Sequence, residues 1–119
     1  MTENNKNFAK EDLEEKQIRN LLYDLYFNIT TKGYIYVIEG IKLAYNDREL
    51  LYPIKNLYIE IGKKYDKNFE EIYRSIAISV DGMNKRIPTD ELRSFFHTDY
   101  IKVSTKEFLV SIVDYFLDE

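Results

Sequence analysis

Basic side chains gather around one short stretch of the chain, where they could contact DNA. Lysine and arginine neutralise phosphate charge, and arginine can also donate two hydrogen bonds to the O6 and N7 atoms of guanine. Arg74 is therefore a candidate for a base contact, together with its neighbour Tyr73, whose ring could stack on a base. Four nearby lysines are the candidates for phosphate contacts: Lys63, Lys64, Lys67 and Lys85.

The sequence offers little else that could do chemistry. It contains no cysteine and a single histidine, His97. A thiolate metal site is therefore excluded, and a histidine-based metal site or catalytic triad would have to be built from one imidazole. No glycine-rich phosphate-binding loop is present. We expect no catalytic residue, metal site, cofactor or small-molecule substrate, and we expect His97 to lie on the surface or at its boundary with the core.

Two helices joined by a tight turn, predicted between Ile54 and Met83, would position the basic residues. The first carries apolar residues at helical spacing: Ile54, Leu57, Tyr58, Ile61 and Tyr65. The turn follows at 66–68, where Asn68 and Glu71 have the spacing of a capping box. The second helix, 68–83, would end near Gly82 and Asn84 and bury Phe69, Ile72, Ile76, Val80 and Met83. This helix-turn-helix pattern is typical of proteins that place the second helix in a DNA groove.

Helical patterns also precede this unit. Residues 1–10 are polar, and we expect them to fray. A first helix is predicted from about Glu11 to an end within 28–32, with these residues inward: Ile18, Leu21, Leu22, Leu25 and Ile29. A second helix is predicted from Gly33 or Tyr34 to Tyr45, burying Val37, Ile38, Ile41 and Ala44. A strand is the alternative for 34–38, because tyrosine, isoleucine and valine favour sheet.

Shorter signals complete the pattern. A helical turn at 48–51 precedes Pro53, which suits the first position of a helix. Pro88 and Thr89 open a short helix with Leu92, Phe95 and Phe96 as candidates for burial. Ser104 and Glu107 form a capping box for a last helix that would bury Phe108, Leu109, Ile112, Val113 and Phe116. The sequence thus predicts a single all-α domain over 11–119, a compact bundle of roughly five to six short helices.

Composition limits the class of protein. A chain of 119 residues is long enough for one domain and one core. No run approaches the roughly 20 apolar residues that span a bilayer, and the polar amino terminus has no secretory signal, so we expect a cytoplasmic protein without membrane contacts. The formal net charge is −4. Because nonspecific DNA affinity depends on basic groups, these would have to be concentrated on one face.

The run Lys32-Gly33-Tyr34-Ile35-Tyr36, with Tyr45-Asn46-Asp47 after it, resembles the C-terminal effector domain of the stage-zero sporulation response regulator of endospore-forming bacteria. The similarity continues through Lys63-Lys64-Tyr65 and the last helix, and covers roughly 18–117. It implies a helix-turn-helix, a recognition helix in the major groove of double-stranded DNA, and transcriptional control at entry into sporulation. In that family a phosphorylatable receiver domain normally precedes this domain. These 119 residues leave no room for one, so we expect a free-standing effector domain or a diverged paralogue.

The recognition helix departs from the family pattern. Where Glu71, Ala77 and Ile78 stand the family has basic residues, and where Tyr73 stands it has an acidic one, so only Arg74 retains a base-contacting type. Helical geometry predicts six outward residues on this helix: Glu70, Glu71, Arg74, Ala77, Ile78 and Asp81. Their acidic groups would oppose phosphates, although a glutamate at the third helical position also stabilises a helix start.

Two hypotheses follow from this surface. In the first, the chain binds DNA and regulates transcription through Arg74 and the lysines. In the second, it has lost DNA binding and uses Ala77, Ile78 and Glu71 to bind a second copy of itself or a related regulator, which it could antagonise. The apolar pair at 77–78 leaves three arrangements open: contact with thymine methyl groups, contact with a protein, or cover by the final helices.

Overall fold

The computed structural model describes residues 12–118 of the chain. Over this range it consists of six α-helices and one 3-10 helix, with no strand. The helices are α1 (Glu15–Asp24), α2 (Lys32–Asn46), α3 (Lys55–Tyr65), α4 (Phe69–Arg86), α5 (Thr89–Phe96) and α6 (Thr105–Leu117), and the 3-10 helix spans Arg48–Leu51. The all-α prediction is confirmed and the strand alternative at 34–38 is wrong. The predicted fraying of residues 1–10 concerns residues outside the described range.

Helix α2 is the centre of the bundle, since it contacts α1, α3, α4 and α6. Val37, Ile41 and Ala44 are fully buried along it, as predicted. One continuous apolar core takes side chains from all six helices. None of the helices in 12–118 is long and apolar enough to cross a membrane.

The first helix is shorter than predicted. It ends at Asp24, and the prediction of an end at 28–32 is wrong. Tyr26 adopts a left-handed conformation with φ 66°, which turns the chain out of the helical path. The helical spacing therefore stops applying to Ile29, which is 57% exposed instead of buried. Phe27 enters the core in its place and stacks on Phe108, with 5.2 Å between ring centroids.

Helix α3 begins two residues after Pro53, so the prediction of proline at its first helical position is wrong. Pro53 lies in the preceding turn, and its carbonyl accepts a hydrogen bond from the Asn56 amide at 3.0 Å. The predicted inward stripe of α3 is nevertheless confirmed: Leu57, Tyr58 and Ile61 are buried.

Helix α4 is longer than predicted and runs through Gly82 and Asn84 to Arg86. It stops at Ile87, whose extended backbone (ψ 132°) is the conformation favoured before a proline. Its inward residues are confirmed, with Ile72, Ile76, Val80 and Met83 fully buried and Phe69 partly buried against the core.

The last two helices agree with the prediction. Leu92 and Phe96 of α5 are buried, Phe95 is partly buried against the core, and the five predicted core residues of α6 are buried. Ser104 and Glu107 form the predicted capping box, with bonds of 3.1 Å and 3.0 Å. His97 is exposed after α5 in a left-handed conformation.

Candidate nucleic-acid interface

The turn between α3 and α4 sets the direction of the outer helix. Asp66 is left-handed at φ 57°, and the Lys67 amide donates to the Gly62 carbonyl at 2.9 Å. A Cβ atom on Gly62 would overlap the carbonyl oxygen of Lys67, so only glycine allows the turn to pass this close to α3. The chain thus forms the predicted helix-turn-helix, with α4 as its second helix.

The start of α4 has half of the predicted capping box. The Asn68 side chain accepts a hydrogen bond from the Glu71 amide at 2.9 Å. Within residues 12–118 the Glu71 carboxylate does not complete the box, since it is exposed and bonds no backbone amide. Its position in the first helical turn still complements the positive end of the helix. Glu71 therefore remains an acidic group on the surface of this helix.

The outward face of α4 carries charged groups of both signs around one isoleucine. Glu70, Glu71, Arg74, Ile78 and Asp81 are all exposed, as predicted. Ile78 is 62% exposed, so the alternative in which the final helices cover this residue is wrong. Lys85 adds a positive charge one turn beyond Asp81.

Ala77 lies at one edge of this face and is half-buried. It lines a groove between α4 and the loop that joins α5 to α6, together with Tyr73, Asp81 and residues 100–105. The structure therefore places Ala77 and Ile78 in different surroundings, one beside a groove and the other open to solvent.

Arg74 occupies the middle of the face and has no partner within the described part of the chain. Glu70, four residues earlier, could have paired with it across one helical turn. No ion pair or hydrogen bond joins the Arg74 side chain to either neighbouring glutamate or to any other residue of 12–118. The guanidinium, with its planar set of donors, is therefore available to a ligand.

The four predicted phosphate-binding lysines differ in their surroundings. Lys64 donates to Glu39 at 2.7 Å, and that carboxylate is only 11% exposed. This hydrogen bond, with the attraction between the two charges, raises the pKa of Lys64 above its usual value. Lys64 thus holds α3 to α2 and neutralises a nearly buried acid.

The other three lysines are better placed for a ligand. Lys63 pairs with Glu60 at 2.8 Å, but both groups are exposed, so the pair is weak and open to exchange. Lys63 and Lys67 line an open concavity at the turn before α4. Lys67 and Lys85 are exposed and have no partner in the described range.

Tyr73 lies on the flank of α4 and not at the centre of its outward face. Its ring is 49% exposed and lies 5.5 Å from that of Tyr58, centroid to centroid. Burial raises the pKa of Tyr58 to about 12, and the neighbouring Tyr73 contributes to the increase. About half of the Tyr73 side chain is therefore open to a base.

The loop between α5 and α6 lies beside α4 and was not among the predicted site residues. Asn84 fixes it through two hydrogen bonds with the backbone of Val103, at 2.9 Å and 3.0 Å. Tyr100 and Ile101 are 72% and 69% exposed, and Lys102 is also exposed. Two large apolar residues beside a lysine, in a segment without helical spacing, were the available signal in the sequence.

No cluster of three or more histidine, cysteine, aspartate or glutamate side chains that could hold a metal ion occurs in residues 12–118.

Comparison with known families agrees with this architecture. The family described as "Sporulation initiation factor Spo0A C terminal" matches residues 18–116, which include every helix except the first residues of α1 and the end of α6. This family consists of regulatory domains that typically bind DNA, and it is not a family of enzymes. The chain belongs to the sporulation initiation factor Spo0A C-terminal family.

Proposed function

We propose that this protein binds double-stranded DNA by placing α4 in the major groove and thereby regulates transcription. The observation that carries the proposal is the exposed guanidinium of Arg74, which has no partner among residues 12–118. It lies at the centre of the outward face of the second helix of a helix-turn-helix. In the major groove, a bidentate pair between arginine and guanine contributes about 1–3 kcal/mol of discrimination against the wrong base.

Phosphate contacts on both sides of α4 would fix its position. Lys63 and Lys67 lie at the turn before the helix, Lys85 near its end, and Lys102 on the adjacent loop. We leave Lys64 out, because moving it to a phosphate would leave the nearly buried carboxylate of Glu39 without its cation. Tyr73 is retained only as a contact at the edge of the groove.

The acidic groups of α4 limit affinity and do not exclude binding. Glu70 and Glu71 lie in its first turn and Asp81 in its fourth, so all three would approach phosphates or bases. Like-charge repulsion weakens the phosphate contacts, while a carboxylate in the major groove can also accept a hydrogen bond from the N4 amino group of cytosine. We therefore expect specific binding that is strong only at low salt.

A second candidate function is favoured by the apolar residues of the loop. Tyr100 and Ile101 are the most exposed large apolar side chains near α4, and they border the groove that contains Ala77. Such a patch fits a protein partner, either a second copy of this chain or a related regulator. In that case Ile78 and Glu71 would lie at the margin of the interface.

Selection of genomic fragments by the purified protein, at two controlled salt concentrations, tests the first proposal. Recovery of a shared motif that is lost with Arg74→Ala supports it. Failure to retain any duplex at low salt contradicts it. Light scattering of the same sample tests the second candidate, which requires a dimer or a mixed complex that Ile101→Ser weakens.

A further inference from the structure

Ile78 is the one outward residue of α4 whose exposure neither packing nor charge explains. It is 62% exposed, and its nearest outward neighbours along the helix are Arg74, Asp81 and Lys85. A single isoleucine bordered by charges is a poor protein-binding patch, because such patches are continuous apolar areas. The continuous apolar area near this helix lies instead around Tyr100, on the flanking loop.

The major groove presents one apolar group that an isolated isoleucine could contact. Among the edges of the base pairs, only thymine carries a methyl group, at C5, and the other exposed groups are hydrogen-bond donors and acceptors. An isoleucine has no polar atom with which to satisfy those groups. A helix that lies in the groove with Ile78 outward would therefore favour thymine at the step that this side chain reaches.

The spacing of Ile78 from Arg74 fixes where that thymine must be. Residues four apart lie on the same face of a helix and are separated by about 6 Å along its axis. Base pairs stack at about 3.4 Å, so the two side chains would reach base pairs about two steps apart. Ala77 is too short to hold the helix away from the bases.

We propose that Ile78 is a specificity-determining residue that contacts the C5 methyl group of a thymine about two base pairs from the guanine bound by Arg74. This inference rests on the proposed DNA-binding function and extends it. Ile78, which the sequence offered as a candidate for a protein interface, would instead contact the thymine methyl group.

Replacing thymine with uracil, which lacks only the methyl group, tests the contact. In a duplex recovered by selection, each thymine is exchanged for uracil in turn. We expect one exchange to weaken binding about fourfold, which is the factor expected for one buried methyl group. That thymine should lie about two base pairs from the guanine that Arg74→Ala identifies. Ile78→Ala should bind the thymine and uracil duplexes equally. Ile35→Ala, which shortens an isoleucine exposed on α2, should retain the difference.

Three results would overturn this inference while leaving DNA binding intact. In the first, the selected sites have no thymine at that step. In the second, uracil has no effect on binding at any position. In the third, the effect of uracil persists in Ile78→Ala. Loss of self-association in Ile78→Ala, combined with insensitivity to uracil, would assign the residue to a protein interface. If no duplex is bound at all, the proposed function fails and this inference fails with it.

Discussion

The backbone of Gly33 in α2 lies directly against the carbonyl oxygen of Ser75 in α4, with no space between them for a Cβ atom. Beside this crossing, the hydroxyl groups of Thr31 and Ser79 share a hydrogen bond of 2.8 Å. The glycine of the Lys32-Gly33-Tyr34 motif is thus required by this close contact between helices. The absence of a side chain at Gly33 lets α2 pack closely against α4, and this contact fixes the position of α4 on the core.

Gly33→Ala should therefore destabilise the fold, because an added methyl group would overlap Ser75 and the side chain of Ser79. We expect a loss of about 1–3 kcal/mol in the free energy of unfolding, the usual range for overpacking. Urea denaturation measures it. The matched control is Gly82→Ala, where a Cβ would meet the exposed guanidinium of Arg86 at 3.2 Å and no backbone atom. If the two variants are equally stable, the contact between Gly33 and α4 is not as close as the structure shows.

The ion pair between Lys64 and Glu39 should stabilise the fold. Lys64→Ala leaves a nearly buried carboxylate without its partner, so it should lower the urea midpoint more than Lys63→Ala, which breaks an exposed pair. If the two substitutions have the same effect, Lys64 is not a structural residue.

The same pair predicts a pH dependence. The pKa of Lys64 is raised in the folded protein above its ordinary value of 10.5. Its contribution to stability is therefore complete below the unfolded pKa and is lost as the pH rises through the folded one. The difference in free energy of unfolding between wild type and Lys64→Ala should stay constant from neutral pH to about pH 10 and shrink above it. A difference that shrinks near neutrality would contradict this assignment.

The sequence predicted the core more reliably than it predicted the ends of elements. Apolar spacing identified the buried residues of α2, α4 and α6, because burial follows the helical period directly. It failed at Ile29, since the left-handed turn at Tyr26 leaves no mark in that spacing. It also placed the end of α4 too early, near Gly82 and Asn84, whereas the local constraint before Pro88 ends the helix.

The candidate site was predictable only in part. The outward position of Arg74 and Ile78 followed from helical geometry alone. The pairing of Lys64 with Glu39 did not, because the two residues are 25 positions apart and meet only when α3 packs on α2. The loop at 97–104 was missed for a similar reason, since its position beside α4 depends on Asn84.

Asn84 should be important for the position of that loop. Asn84→Ala removes both hydrogen bonds to Val103 and leaves two backbone groups without partners. We expect a loss of about 1–3 kcal/mol in stability and faster hydrogen exchange at the Val103 amide. Asn46→Ala is the control, because its side chain bonds only an exposed carbonyl of its own helix. Unchanged exchange at Val103 would show that other contacts fix the loop.

The salt dependence of DNA affinity should distinguish lysines that contact phosphates from lysines that do not. For each lysine that contacts a phosphate, substitution by alanine should reduce the slope of log K against log salt by about 0.9. We expect this reduction for Lys67→Ala, Lys85→Ala and Lys102→Ala in fluorescence anisotropy titrations. Lys16→Ala, on the exposed surface of α1, should leave the slope unchanged. Identical slopes for all four variants would exclude these phosphate contacts.

Base recognition by α4 is tested most directly by the specificity ratio of Arg74→Ala. Affinity is measured for a selected duplex and for the same duplex with its contacted guanine replaced, in wild type, Arg74→Ala and Arg74→Lys at one salt concentration. We predict that Arg74→Ala loses about 5- to 150-fold of the wild-type ratio, because alanine has no donor for guanine, while Arg74→Lys loses less of the ratio and retains the salt dependence. A ratio unchanged in Arg74→Ala would show that base recognition does not depend on the exposed guanidinium of α4.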